Sequence, residues 1–234
     1  MVFLPHVLIA ILLLVLAPWD IWEYRRLRAA PDGARIGFYV RTSAALWVLI
    51  ALSLFAIPLQ AMWAAPAYDA LLLSPFWWRM LSYLVLFLMA VAPWLQIAYL
   101  GVAKDKRERA LKGLEALAFM LPRNGFERGL FALLCLSAGI GEEIIFRGFV
   151  LRYLLDWHLG LTLAVIGSSL LFGLAHAGQG GSGIVRTGLV GLILALLYLA
   201  TGSLLLPIVA HASIDLQALV LSTMRKAPQG AAKA

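Results

Sequence analysis

Residues 129–153 read GLFALLCLSAGIGEEIIFRGFVLRY. No charge interrupts the run from Gly129 to Gly141, and then Glu142, Glu143 and Arg147 stand inside otherwise apolar sequence. At about 1.5 Å of rise per residue, a helix of this length crosses the ~30 Å hydrocarbon core of a bilayer. Each charge inside such a helix costs about 2.5–3.5 kcal/mol on insertion scales, so these residues need partners, a function, or both.

Working outward, comparable apolar runs occupy residues 2–21, 42–62, 76–103, 159–175, 184–200 and 204–224. With 129–153 they give seven expected helices, and six or eight are compatible with the same pattern. The whole chain has 234 residues, 63% of them hydrophobic and 13% charged, with mean hydropathy +0.91. A water-soluble fold of this size has no interior large enough for that surface, so the bilayer must act as solvent. The expected fold class is an all-α, polytopic transmembrane helix bundle whose last four spans form the core of any site.

The net charge of +7 reads as topology and not as a nucleic-acid face, because the basic residues gather in short segments between apolar runs. Arg25, Arg26, Arg28 and Arg35 fall in 23–35, and Lys104, Lys106, Arg107, Arg109 and Lys112 in 104–112, two spans apart. Both segments then face the cytoplasm, as does the tail with Arg225, Lys226 and Lys233, which leaves the N-terminus outside. The expected location is a bacterial inner (cytoplasmic) membrane, with the lipid bilayer as a partner and no nucleic acid. The first run lacks a basic region before it and a small-residue cleavage site after it, so it reads as a retained span and not a signal peptide. Trp19 and Trp22 follow as an aromatic belt.

Residues 1–128 are expected to hold the first spans and an interfacial elbow, 129–224 the site-bearing core, and 225–234 a disordered tail, all within one structural domain. Leu111, Leu114, Leu117, Ala118 and Leu121 have near-helical spacing beside Lys112 and Glu115, before a break at Pro122, Asn124 and Gly125; this predicts a short interfacial helix and a turn. The stretch GQGGSG at 178–183 lacks the Gly-Lys-Ser/Thr ending of a phosphate loop and reads as a flexible connector. Cys135 is the only cysteine and reads as a buried core residue. His6 and His158 carry no partner signal and are expected at the interface or surface.

Glu142 and Glu143 point about 100° apart on a helix, so only one can address a given site. Glu143 and Arg147 are i and i+4, the spacing of an ion pair on one face. Glu143 is therefore assigned to holding Arg147, and Glu142 to a cavity. The fifth span ends with Phe172 through His176, and the last carries His211 and Asp215 at i and i+4, where a carboxylate can fix an imidazole's tautomer. Three apolar helices each bring ionisable side chains inward.

Residues 142–148, EEIIFRG, resemble an EExxxR motif; Phe172 to His176 resembles FxxxH, and His211 to Asp215 resembles HxxxN/D. In this order the three motifs are similar to those of the CPBP (Abi) family of CAAX-type prenyl-protein endopeptidases and bacteriocin-processing or immunity proteins. The resemblance covers about 129–224 and is absent from the first three spans. It implies an intramembrane glutamic endopeptidase in which Glu142 is the general base that activates water. His176 and His211 help bind that water and stabilise the oxyanion, and Asp215, where many members carry Asn, orients His211 or donates a proton. Glu143, Arg147 and Phe172 support the site. The implied substrate is a membrane-anchored protein or peptide: a prenylated C-terminal peptide, a bacteriocin leader or a C-terminal sorting anchor. No cofactor is implied. One Glu, two His and one Asp can bind zinc in principle, although HExxH spacing is missing. An immunity or scaffold role without cleavage, or a proton-coupled transporter, would use the same intramembrane charges.

Overall fold

The computed structural model describes residues 3–29, 34–63, 65, 75–113 and 117–224. Every regular element among them is helical. They are α1 (Leu4–Ala29), α2 (Ala34–Ala56), α3 (Leu59–Trp63), α4 (Pro75–Ala90), α5 (Ala92–Val102), α6 (Lys104–Gly113), α7 (Gly125–Asp156), α8 (Leu161–Leu174), α9 (Gly181–Thr201) and α10 (Leu205–Thr223). Six stretches are long and apolar enough to cross a membrane: α1, α2, Met80–Val102, α7, α9 and α10. With the shorter apolar α8 they make up the bundle of about seven spans. Large apolar side chains such as Leu14, Phe55 and Val102, all more than 70% exposed, point outward, where lipid covers them.

The helix ends differ from the expected ones for local reasons. Helix α1 does not stop at residue 21 but continues through Arg25, Arg26 and Arg28, so these arginines extend a helix and do not form a loop. Its π-helical stretch Leu12–Leu16 precedes Pro18, which has no N–H and whose ring crowds the carbonyl of Leu14. Helix α2 starts at Ala34, eight residues earlier than expected, because Arg35 is no loop cation: it is buried and paired with Glu127 at 3.3 Å. The helix ends before Pro58 and α3 follows. The third apolar run is two helices, broken at Val91 before Pro93.

The interfacial helix expected over 111–121 lies earlier, at Lys104–Gly113, and 117–120 is a turn; residues 114–116 and the tail 225–234 lie outside the described residues. That turn is docked on α2 by the Tyr39 hydroxyl, which donates to the Met120 carbonyl at 2.7 Å. Helix α7 opens with a sequence-encoded cap. The Asn124 side chain accepts the Glu127 N–H at 2.8 Å, while the Glu127 carboxylate takes the Arg123 N–H and Arg35, satisfying amide groups that a helix start leaves open.

Cys135 is buried, as expected. His158 is exposed, whereas His6, also exposed, does find partners: the Tyr153 hydroxyl at 2.9 Å and the edge of Trp157.

Candidate active site

The site forms where α7, α8 and α10 converge. Helix α8 has 14 residues, roughly 21 Å of length, so it stops short of a full crossing and leaves His176 just past its end, at the depth of Glu142. Helix α10 packs against α7 at Gly139, where an added Cβ would lie 2.7–2.8 Å from the Cβ, Cα and N of Ala212. Only glycine permits this approach, and it brings His211 beside the paired glutamates.

Glu142 Oε2 is 3.8 Å from His176 Nε2 and 3.8 Å from His211 Nε2. It is buried and makes no hydrogen bond among the described residues. The same His211 Nε2 is 3.8 Å from Asp215 Oδ2. These four side chains, expected from sequence to share one place, do share it.

Their ring orientations follow from the second nitrogen of each imidazole. His176 Nδ1 lies 2.9 Å from the Phe172 carbonyl and His211 Nδ1 lies 2.8 Å from Glu143 Oε1. A carbonyl and a carboxylate only accept, so both Nδ1 atoms donate and both Nε2 atoms turn to Glu142. The expectation that Asp215 fixes the tautomer of His211 is thereby corrected: Glu143, 68 positions away, makes that bond, and Asp215 stands beyond hydrogen-bond reach on the other side of the ring.

Glu143 also holds Arg147 as its spacing predicts, at 2.8 Å. Arg147 is almost fully buried in a π-helical turn, Ile144–Val150, a distortion often found at functional sites. Its second donor reaches the Gly191 carbonyl at 2.7 Å, which ties α7 to α9. A Cβ at Gly191 would come within 2.9 Å of the Phe172 ring. Phe172 is central: Arg147 lies over its face at 4.6 Å, and the His176 and His211 rings are 5.0 and 5.7 Å away, centre to centre. It packs the site and orients His176 through its carbonyl.

Glu142, His176 and Asp215 border a cavity of about 390 Å³. Most of its wall is apolar and comes from α1, α2, α7 and α10, with Leu16, Leu46, Phe131 and Ala138 among the lining residues. The polar end includes two residues that sequence reasoning missed, Asp20 and Gln179. Asp20 is the one acid in the apolar run 2–21, and that charge was the available signal. The 178–183 segment is not a loose connector. Residues Ala177–Gln179 form a 3₁₀ turn and α9 begins at Gly181; the Gly178 N–H donates to Asp20 Oδ2 at 2.7 Å.

Among the described residues, no three His, Cys, Asp or Glu side chains are arranged to hold a metal ion. Searches against curated proteins and against solved structures give no match. Residues 125–217 match the family model described as type II CAAX prenyl endopeptidase Rce1-like. This segment, which holds every residue of the cluster from Glu142 to Asp215, is thus similar to the CAAX protease family.

Proposed function

We propose that the chain is an intramembrane glutamic endopeptidase that hydrolyses a peptide bond of a membrane-tethered protein or peptide. The observation that carries this reading is the position of Glu142 Oε2, equidistant at 3.8 Å from two imidazole nitrogens and beside the cavity. That spacing is too long for direct hydrogen bonds and suits a water held by all three groups.

Glu142 takes a proton from this water as its oxygen attacks the substrate carbonyl carbon. The carbonyl oxygen becomes an oxyanion. An imidazolium at His211, faced by Glu142, Glu143 and Asp215, donates from Nε2 to that oxyanion, and His176 helps to hold the attacking water. Glu142 then passes its proton to the leaving nitrogen as the C–N bond breaks. Glu143 and Arg147 keep His211 in place and do not contact substrate. The apolar cavity wall receives the membrane-embedded part of the substrate. Charge segregation along the sequence supports an N-terminus outside.

The test is cleavage of a prenylated C-terminal peptide, and of the membrane proteome by N- and C-terminal sequencing, with the protein reconstituted in proteoliposomes. Glu142→Gln is expected to lower kcat at least about 100-fold without changing the melting temperature. Cleavage at the wild-type rate by this variant would refute the assignment. The mechanism uses no metal, so o-phenanthroline is expected to leave the rate unchanged; chelator inhibition reversed by zinc would favour a zinc-dependent peptidase.

A further inference from the structure

Helix α1 lies outside the matched segment, yet it delivers a carboxylate to the polar end of the cavity. Asp20 Oδ2 accepts the N–H of Gly178 at 2.7 Å, two residues beyond His176. The contact is close along the whole turn: a Cβ at Gly178 would lie 2.7 Å from Tyr24 Cβ and 2.9 Å from the Asp20 carbonyl oxygen. The turn therefore lies flat on α1 and has no room to shift towards it. His176 belongs to the same turn, because its carbonyl accepts the Gln179 N–H at 3.1 Å and its own N–H donates to Gly173 at 3.1 Å. The Phe172 carbonyl sets the rotation of the His176 ring, but the turn sets where that ring stands.

Asp20 stands between Trp19 and Trp22 at the end of the apolar run, and a charge-assisted bond to a backbone amide is the kind of contact that offsets the desolvation of a carboxylate there. We propose that Asp20 is a positioning residue: by clamping the turn 177–179 to α1 it fixes the separation of His176 Nε2 and Glu142 Oε2. The inference rests on the peptidase reading for its kinetic consequence, whereas the clamp itself does not.

The experiment combines steady-state kinetics with hydrogen–deuterium exchange on full-length protein in lipid nanodiscs, comparing Asp20→Ala, Asp20→Asn and Glu142→Gln with the wild type. A misplaced group costs up to about 100-fold, so Asp20→Ala is expected to lose about 10- to 100-fold in kcat with KM within about twofold. Asp20→Asn keeps an oxygen acceptor for the Gly178 N–H and is expected to recover most of that loss. Peptides covering 176–181 should exchange faster in Asp20→Ala than in Asp20→Asn or the wild type, while those covering 125–143 stay unchanged. Wild-type protection at 176–181 in Asp20→Ala overturns the proposal. So does an Asp20→Asn variant as slow as Asp20→Ala, which would mean that charge matters and the acceptor does not. A loss confined to KM also overturns it, by making Asp20 a substrate-binding group. Should Glu142→Gln cleave like the wild type, the peptidase reading falls and exchange at 176–181 alone decides the clamp: faster in Asp20→Ala upholds it, unchanged overturns it.

Discussion

One oxygen of Glu143 carries two duties, accepting from Arg147 and from His211, each at 2.8 Å. Because Glu143 and Arg147 are both essentially inaccessible, removing one charge strands the other. Arg147→Ala is therefore expected to cost about 3–5 kcal/mol of stability. Lysine will not substitute, since Arg147 spreads its donors between Glu143 and the Gly191 carbonyl, a fork that a single ammonium does not reproduce. Thermal unfolding in detergent followed by tryptophan fluorescence checks both, and an Arg147→Lys protein that melts like the wild type would overturn the argument. The i, i+4 spacing made the Glu143–Arg147 pair legible in sequence. The His211 bond was not legible, because helical spacing reports neighbours on one helix and is silent about the face another helix presents. Asp215 drew the tautomer role for the same reason: it was the carboxylate near in sequence, while the one near in space lay on α7.

At the level of helices, the site depends on close crossings permitted by small residues. Gly139 is the clearest, with three atoms of Ala212 under 3 Å from where its Cβ would stand, two of them backbone. Gly139→Ala is thus expected to push α10 away from α7, costing about 1–3 kcal/mol as overpacking and lowering kcat through the displacement of His211. Adding Ala212→Gly removes only the side-chain contact and leaves Ala212 Cα and N in place, so the double variant should recover part of the stability and not all of it. Full recovery in a double-mutant cycle of melting temperatures would show that the backbone approach is looser than described. Hydropathy located the helices because lipid demands long apolar runs, but their ends followed features with shorter reach. Asn124 with Glu127, Pro18, Pro58 and Pro93 each set a boundary or a distortion, and the buried pairing of Arg35 turned an expected loop residue into helix.

For the molecule as a whole, the motifs on α7, α8 and α10 announced a cluster, whereas the cavity beside it needed coordinates. Its wall is completed by α1 and α2 through residues such as Leu16, Phe38, Ala45 and Leu46, which in sequence are indistinguishable from lipid-facing positions. Apolar runs carry no record of which faces meet. The consequence is that the first two helices should govern which substrates enter without touching the chemistry. Ala45 lines the cavity from α2, a helix that carries none of the clustered imidazoles and carboxylates, and a volume of about 390 Å³ is within the usual range for a ligand site, roughly 300–1,000 Å³. Ala45→Trp fills a sizeable share of it with apolar bulk and, since the space is already open, should leave the melting temperature within a few degrees of wild type. On the proposed mechanism the variant raises KM for a lipid-tethered peptide while a short untethered peptide spanning the same scissile bond is cleaved with unchanged kcat. Equal losses for both substrates would place the obstruction at the reacting groups, and no loss for either would mean that the tethered part of the substrate reaches Glu142 by another route.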